Sequence, residues 1–259
     1  MSSPSSTNPI IVIVHGAFHP PIYYRKLVEP LRAQGYTVLA PPMPTTGLDD
    51  SVAGTTYVDD VRRINESLLP LFDKEGREAV IVGHSQGGIA GSAATEGQTV
   101  ADRQARGLKG GIKAVVYIAA VTFPKPGATF LELMGVTEEN LPYRVVGPHY
   151  VPTLPVEKKG VVPLYNMLPE AEQWKAAEGI VSQSRASLNV PVHFAAGDVT
   201  VPKTYIICTQ DMALPPAVQK AWAEGSGCRT IEIETDHSPF MDDGRANQVI
   251  DVIIDVAGK

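Results

Sequence analysis

Ile10-Ile11-Val12-Ile13-Val14 opens the patterned part of the chain as an unbroken β-branched run. Such a run does not alternate with polar residues, so it predicts a strand buried on both faces of a parallel sheet. Tyr23 to Gln34 then carries Leu27, Val28 and Leu31 at helical spacing and stops at Gly35. Thr37-Val38-Leu39-Ala40 predicts a second strand, ended by Pro41-Pro42. Tyr57 to Phe72, with Val58, Val61, Ile64, Leu68 and Leu69, predicts a long amphipathic helix. A third run, Ala79-Val80-Ile81-Val82, feeds directly into Gly83-His84-Ser85-Gln86-Gly87 and a stretch of small residues. Ala114 to Ile118 is a further strand.

The texture then changes. From Phe123 to about Val201 the chain is rich in Pro and Gly and lacks long β-branched runs. Only a short helix at Phe130–Met134 and a longer one over Glu170–Gln183 are predicted there. The strand–helix rhythm resumes with a strand at Lys203–Cys208, a helix at Ala217–Glu224, a strand at Thr230–Ile233 and a final amphipathic helix at Arg245–Val256. The alternation predicts an α/β, doubly wound, mainly parallel sheet of about six strands. One domain over 1–259 is expected, with a core at 9–122 and 202–259. The segment of about 123–201 is too long for a simple loop and reads as a cap over the C-terminal strand edge.

Composition narrows the partners. Net charge is -6, and no Lys/Arg cluster offsets it, so neither nucleic acid nor an anionic membrane is an expected partner. Residues 1–9 read as a polar, flexible leader, and the apolar run behind them is only a strand long, too short for a signal peptide or a membrane span. Cys208 and Cys228 fall at opposite ends of neighbouring strands, too far apart to bridge, which predicts free thiols and a cytoplasmic location. Oligomeric state has no signature here; a homodimer is compatible with the sequence.

The chemistry-bearing signal is G-x-S-x-G between a strand and a helix. Turning that sharply strains the serine backbone, and glycines two before and two after it remove colliding side chains. The hydroxyl of Ser85 is thereby presented above the sheet. Serine needs a base to take its proton and an acid to orient that base. On such an elbow these follow in chain order, on loops after later strands. Asp211 lies three residues beyond one strand and His237 four beyond the next. Asp198, Asp236 and Glu232 compete for the acid's place, but Asp236 adjoins the base and Glu232 lies within a strand. An oxyanion needs N–H donors, for which the backbones of Gln86 and Ala17 are the candidates, the latter in His15-Gly16-Ala17-Phe18-His19 after the first strand. No metal site is expected, because Gly16 and Pro20-Pro21 deny His15 and His19 a shared helix face. No cofactor is implied, since no G-x-G-x-x-G follows a strand and there is no phosphate loop.

With these residues in hand, the chain resembles α/β-hydrolases of the plant methylesterase and hydroxynitrile lyase type and their microbial carboxylesterase relatives. The matching segments are Ile10–His19, Val80–Gly88 (VIVGHSQGG), Leu164–Gln183, Tyr205–Pro215 (YIICTQDMALP) and Asp236–Phe240 (DHSPF). The resemblance implies an α/β-hydrolase core with a small cap, Ser85, Asp211 and His237 as triad, and Ala17 and Gln86 as oxyanion donors. Cyanohydrin-cleaving members carry a threonine after the first-loop histidine and a lysine after the catalytic one. This chain has Gly16 and Ser238 there, which favours hydrolysis. Where many members continue with glycine and tryptophan, it has Pro20-Pro21-Ile22-Tyr23-Tyr24, so the pocket wall near the first loop is expected to differ.

The expected function is a serine hydrolase acting on a small or medium apolar carboxylic ester. Phe18, His19, Leu131, Met134, Leu164, Tyr165, Met167 and Trp174 are the candidate substrate contacts. One alternative is a hydroxynitrile lyase-like or other carbon–carbon bond-cleaving enzyme on the same triad. Another, from a different class, is a small-ligand sensor with vestigial hydrolysis.

Overall fold

The computed structural model describes residues 8–152 and 159–259. Most of the expected polar leader, 1–7, and six positions within the 123–201 segment lie outside the described residues. In chain order the elements are β1 (Ile10–Val14), α1 (Arg25–Ala33), β2 (Val38–Leu39), β3 (Thr46–Gly47), α2 (Tyr57–Glu75), β4 (Glu78–His84), α3 (Gly87–Ala93), α4 (Val100–Ala105) and β5 (Gly111–Ile118). They continue with α5 (Phe130–Met134), β6 (Tyr143–Val146), β7 (His149–Pro152), α6 (Glu170–Glu178), β8 (Ser182–Ser184) and α7 (Ala186–Asn189). β9 (Lys203–Cys208), α8 (Pro216–Gly225), β10 (Arg229–Ile233) and α9 (Asp243–Ala257) complete the chain.

Six strands form one parallel sheet in the order β10-β9-β5-β4-β1-β2. Its continuous apolar runs are explained by two helical layers, one on each face. Ile10, Val12 and Val14 pack with Ile64, Leu68 and Phe72 of α2 and Ile89 of α3. Ile11 and Ile13 pack with Leu27 and Leu31 of α1 and Val249, Ile250 and Ile253 of α9. Successive side chains of a strand point to opposite faces, so a strand between two layers must be apolar at every position. α2 shows how local sequence sets boundaries: Thr56 and Asp59 form a reciprocal capping box, and Gly76 closes the helix at φ 66. Cys208 pairs with Ile233 while Cys228 precedes Arg229, which pairs with Thr204; both thiols are free.

Three expectations need correction. The helix beginning at Tyr23 is a 3-10 turn over Pro21–Tyr24 followed by α1, since the Pro20-Pro21 pair fixes a tight entry. The helix over Glu170–Gln183 ends at Glu178, before Gly179, and Ser182–Ser184 is a strand instead. A second, antiparallel sheet in the order β3-β8-β7-β6 also went unpredicted. Its strands are two to four residues long, too short to show an alternating pattern.

That small sheet joins the insertion to the core. β3 lies between β2 and α2 in the chain, yet it pairs with β8, and Ser184 N–H donates to the Thr45 carbonyl at 2.8 Å. Thr45 is held in turn by the buried Asp60 of α2, which accepts from Thr45 N at 3.1 Å and Thr45 Oγ1 at 2.7 Å. Burial pushes the Asp60 carboxyl up to about 7, against the lowering effect of the two Thr45 bonds.

An unfolded aspartate titrates near 4. Between about pH 4 and pH 7 the unfolded chain therefore loses its proton first, and Asp60's contribution to stability, full below that window, is lost as pH rises through it. Asp60→Asn keeps the polar shape without the charge. It is expected to raise Tm by several degrees at pH 8 and to change it little at pH 4.5, measured by thermal unfolding at both pH values.

Candidate active site

The chain lays β1, then β2 on one side of it, then β4 on the other, so the loops leaving β1 and β4 diverge at a switch point where α/β sheets bind ligands. Ser85 stands there with φ 50, a left-handed conformation that non-glycine residues adopt rarely. Its backbone is held from the end of β5: Ser85 N donates to Ile118 O at 3.1 Å, and Val121 N donates to Ser85 O at 2.8 Å. The flanking glycines are required by close approach. A Cβ on Gly87 would stand 2.3 Å from the Val14 carbonyl oxygen, and one on Gly83 would meet Gly87 O at 3.0 Å. Gly16 is equally constrained, since a Cβ there would lie 2.9 Å from Ser85 Cβ and 2.8 Å from His84 Nδ1.

His237 and Asp211 come from the loops after β10 and β9. The His237 Nδ1–H donates to Asp211 Oδ2 at 2.7 Å, and both residues are buried. Asp211 also accepts from the Ala213 and Leu214 amides, both at 2.8 Å, and from Gln219 Nε2 at 2.9 Å. Four donors fix both carboxylate oxygens, and the one on His237 sets that ring's tautomer. Ser85 and His237 line one cavity; among the described residues no hydrogen bond joins the serine hydroxyl to the ring. Such bonds often form only once substrate is bound.

The competing acids are engaged elsewhere. Asp236 accepts from Met167 N at 2.9 Å and Ser238 N at 3.2 Å, and burial raises its carboxyl above the usual range. Asp198 accepts from Ala195 N, and Glu232 pairs with Lys220.

In the first loop the carbonyls of Gly16, Ala17 and Phe18 are all engaged, while the amide of Ala17 is not. His15 Nδ1–H donates to Gly16 O at 3.0 Å, His19 Nδ1–H to Ala17 O at 2.7 Å, and Val181 N–H to Phe18 O at 2.8 Å. Phe18 itself has φ 66. The N–H groups of Ala17 and Gln86 have no partner among the described residues, and both residues line the cavity beside Ser85.

Three histidines brace this arrangement as neutral rings. His15 Nε2 accepts from Met43 N, and His19 Nε2 accepts from Tyr165 Oη at 2.7 Å. Burial lowers His15 to about 4 and His19 to about 3. His84 Nε2–H donates to the His237 carbonyl at 2.8 Å, so its Nδ1 is the acceptor from Tyr24 Oη at 2.7 Å. Burial holds His84 well below its ordinary range. Tyr24 Oη also accepts from Gly16 N at 2.9 Å. One chain of bonds thus runs from the first loop through the elbow residue to the backbone of His237.

The cavity, about 150 Å³, is largely apolar. Of the expected contacts, Phe18, His19, Met134 and Leu164 line it. Leu131 is half-buried on α5 outside the lining, and Trp174 packs with Val162, Leu168 and Ala177 within the insertion. Tyr165 stands behind His19 rather than in the wall, and Met167 meets Asp236 through its backbone. Ser238 is buried and also outside the wall. Phe130, Leu141, Tyr143, Leu188 and Leu214 are lining residues that sequence reasoning missed. Gln219 and Tyr24 were missed as well, because a buried polar side chain on an apolar helix or turn carries no motif.

Comparison with known proteins gives the family. The profile described as the alpha/beta hydrolase family matches residues 11–249. The chain belongs to that family. It is 30% identical to the alpha/beta hydrolase nvfD of Aspergillus novofumigatus, over 97% of each chain. It is 24% identical to methylesterase 7 of Arabidopsis thaliana, over 96% of each. Among solved structures, an extracellular α/β-hydrolase from a Paenibacillus species superposes with a TM-score of 0.77 at 18% identity, covering 97% of this chain and 100% of the other. Relatives named hydrolases and esterases support a carboxylesterase-type hydrolase.

Tyr24→Phe would strip Gly16 N–H and His84 Nδ1 of a buried partner while leaving the ring packed against Phe240. A loss of about 2–6 kcal/mol in unfolding free energy is expected, from about 1–3 kcal/mol for each of the two orphaned groups. Urea unfolding checks it, and a change under about 0.5 kcal/mol would mean that the Tyr24 bonds do not brace the site.

Proposed function

We propose that the protein is a serine carboxylesterase in which Ser85, His237 and Asp211 form the triad. The observation that carries this reading is the meeting, in one cavity, of a serine at φ 50, a histidine held by a buried aspartate at 2.7 Å, and two unengaged backbone amides. The neutral His237 ring takes the Ser85 proton as the hydroxyl attacks the ester carbonyl. The oxyanion then accepts from the Ala17 and Gln86 N–H groups, which develop their full strength only as charge appears. The imidazolium, oriented by Asp211, passes its proton to the leaving alcohol. Water repeats the sequence on the acyl-enzyme and frees the acid.

The neutral braces matter to this chemistry. His15, His19 and His84 remain uncharged at neutral pH, so no fixed cation competes with the imidazolium formed on His237. The Met134, Leu164 and Leu188 walls suit an ester with an apolar portion of small to medium size. Methylesterase 7 and nvfD are enzymes by name, and their kinship over almost the whole chain supports the enzyme over the sensor.

Ser85→Ala is expected to lower kcat for p-nitrophenyl acetate or butyrate by about 10⁴-fold or more while leaving Tm nearly unchanged. The parent should show many turnovers per molecule. Hydrolysis by the alanine variant near the parental rate would sink the triad, and a parent limited to one turnover would favour the sensor.

The close approach at Gly16 separates ester hydrolysis from cyanohydrin cleavage. The added Cβ of Gly16→Thr would press on Ser85 Cβ at 2.9 Å, displacing the nucleophile. Its esterase kcat/KM should fall by about 10²-fold or more, comparable to losing an oxyanion donor. The parent should release no cyanide from mandelonitrile above the spontaneous rate. Rapid release would replace the esterase reading with a lyase.

A further inference from the structure

Tyr165 is fully buried outside the cavity wall, and its hydroxyl is spent on His19 of the first loop at 2.7 Å. The other end of the ring settles the direction of that bond. His19 Nδ1 lies 2.7 Å from Ala17 O, and a carbonyl only accepts, so Nδ1 carries the proton. Burial keeps the ring neutral, which leaves Nε2 a bare acceptor that the Tyr165 Oη–H fills. The hydrogen bonds thus run one way, from Tyr165 of the insertion through His19 to Ala17 O.

Ala17 is the residue whose orientation these bonds decide. Its N–H shares a planar trans peptide with Gly16 O and points opposite to it. His15 Nδ1–H holds Gly16 O at 3.0 Å, and Met43 N–H pins His15 Nε2 at 2.9 Å. On the far side of Ala17, Phe18 N–H has no partner among the described residues, so that peptide is held through Ala17 O alone. With both carbonyls gripped, neither soft dihedral of Ala17 is free. The second grip works against strain. Phe18 sits at φ 66, and a non-glycine residue stays there only where its surroundings impose it. The grips on the carbonyls either side of Phe18 Cα both trace to the insertion: Tyr165 through His19 on Ala17 O, and Val181 N–H on Phe18 O at 2.8 Å.

We propose that Tyr165 and His19 are positioning residues for the oxyanion: through them the insertion holds the Ala17–Phe18 peptide against its strain and keeps Ala17 N–H aimed at the developing charge. The inference rests on the esterase reading and deepens it, giving the insertion a part in the chemical step as well as in the cavity wall. An oxyanion donor stabilises the tetrahedral state far more than the bound ester, so slackening it lowers kcat and spares KM.

The test compares Tyr165→Phe with the parent on p-nitrophenyl acetate and on two ketone inhibitors. Ser85 Oγ adds to the carbonyl of 1,1,1-trifluoro-4-phenylbutan-2-one; its proton passes to His237, and the carbonyl π pair becomes an oxyanion. 4-Phenylbutan-2-one has the same frame and binds without developing that charge. Tyr165→Phe should lower kcat about tenfold, short of the roughly 10²–10³-fold cost of deleting a donor. The trifluoroketone should weaken by a similar factor, while KM and the plain ketone's Ki stay within about twofold of the parent's. Loss of packing alone would shift both ketones alike, and a grip of no consequence would leave kcat within about twofold. Either result overturns the inference and leaves the esterase reading standing. His19 supplies a second arm should Tyr165→Phe not fold. In His19→Asn the amide Nδ2–H can stand where Nδ1–H stood, so it should keep a kcat about fivefold or more above that of His19→Leu, which has no donor. Equal kcat in these two overturns the inference. In the parent, the 15N shifts of His19 should show the proton on Nδ1, and a proton on Nε2 overturns it without any variant. A parent that hydrolyses p-nitrophenyl acetate no faster than Ser85→Ala overturns the esterase reading and the inference with it.

Discussion

The fit of Gly87 against the end of β1 is the constraint on which the site depends. With the Val14 carbonyl oxygen 2.3 Å from where a Cβ would be, α3 starts as close to the sheet as a backbone can. That closeness leaves no room for a gradual turn, so Ser85 takes φ 50 and projects its hydroxyl into the opening between the loops after β1 and β4. The strain is over-determined from outside the turn. Ile118 and Val121 grip the Ser85 backbone, and Gly88 N–H donates to its carbonyl at 3.0 Å. Gly16 extends the same logic to the first loop, where a methyl group would already touch Ser85. Positions of backbone, more than of side chains, set the geometry in which a carbonyl can be attacked.

Around that centre, hydrogen-bond direction does what distance alone cannot. A backbone carbonyl accepts and never donates, so the His237 carbonyl dictates where the His84 proton sits, and the tyrosine hydroxyl must then donate to the other nitrogen. The same reasoning fixes His15 against Gly16 O and His19 against Ala17 O. Burial makes each of these rings costly to charge, and the bonds give each one tautomer. A site assembled from loops gains its rigidity in this way, since loops lack the ladder bonds that hold strands in place.

The core and the strained serine elbow were legible in the sequence for physical reasons. A strand covered on both faces must be apolar throughout, so Ile10–Val14 and Ala79–Val82 announce themselves, and an elbow needs glycines at fixed spacing. Asp211 and His237 stood out by their distance from strand ends, and the structure joins them in a hydrogen bond. The insertion was not. Its strands are too short for a period, Pro and Gly obscure its helix ends, and Trp174 reads as a binding aromatic when it is the centre of a small internal core. Pro20-Pro21-Ile22-Tyr23-Tyr24 was legible as a departure from relatives, but its consequence lay in three dimensions. The turn it forms delivers Tyr24 to a point between Gly16 and His84, which no local pattern encodes.

The insertion packs into the core through Val192, Ala195, Ala196 and Val199, and polar bonds at its margins tie it to the loops that carry Ser85, Asp211 and His237. Tyr165 reaches His19, Met167 N–H reaches Asp236, Asn166 Nδ2 reaches Gln210 O, and Ser187 receives Gln86. Each anchor on the core side is next to, or within two residues of, a group in the proposed chemistry. The apolar contacts fill space but are non-directional. Directional bonds at four points fix its register on the loops, so that Met134, Leu164 and Leu188 face the nucleophile from set positions. The cavity wall is thereby positioned by residues that flank Ser85, Asp211 and His237. Changes to apolar wall residues between the anchors can alter which ester fits without moving Ser85, His237 or Asp211, whereas changes to the anchors alter both.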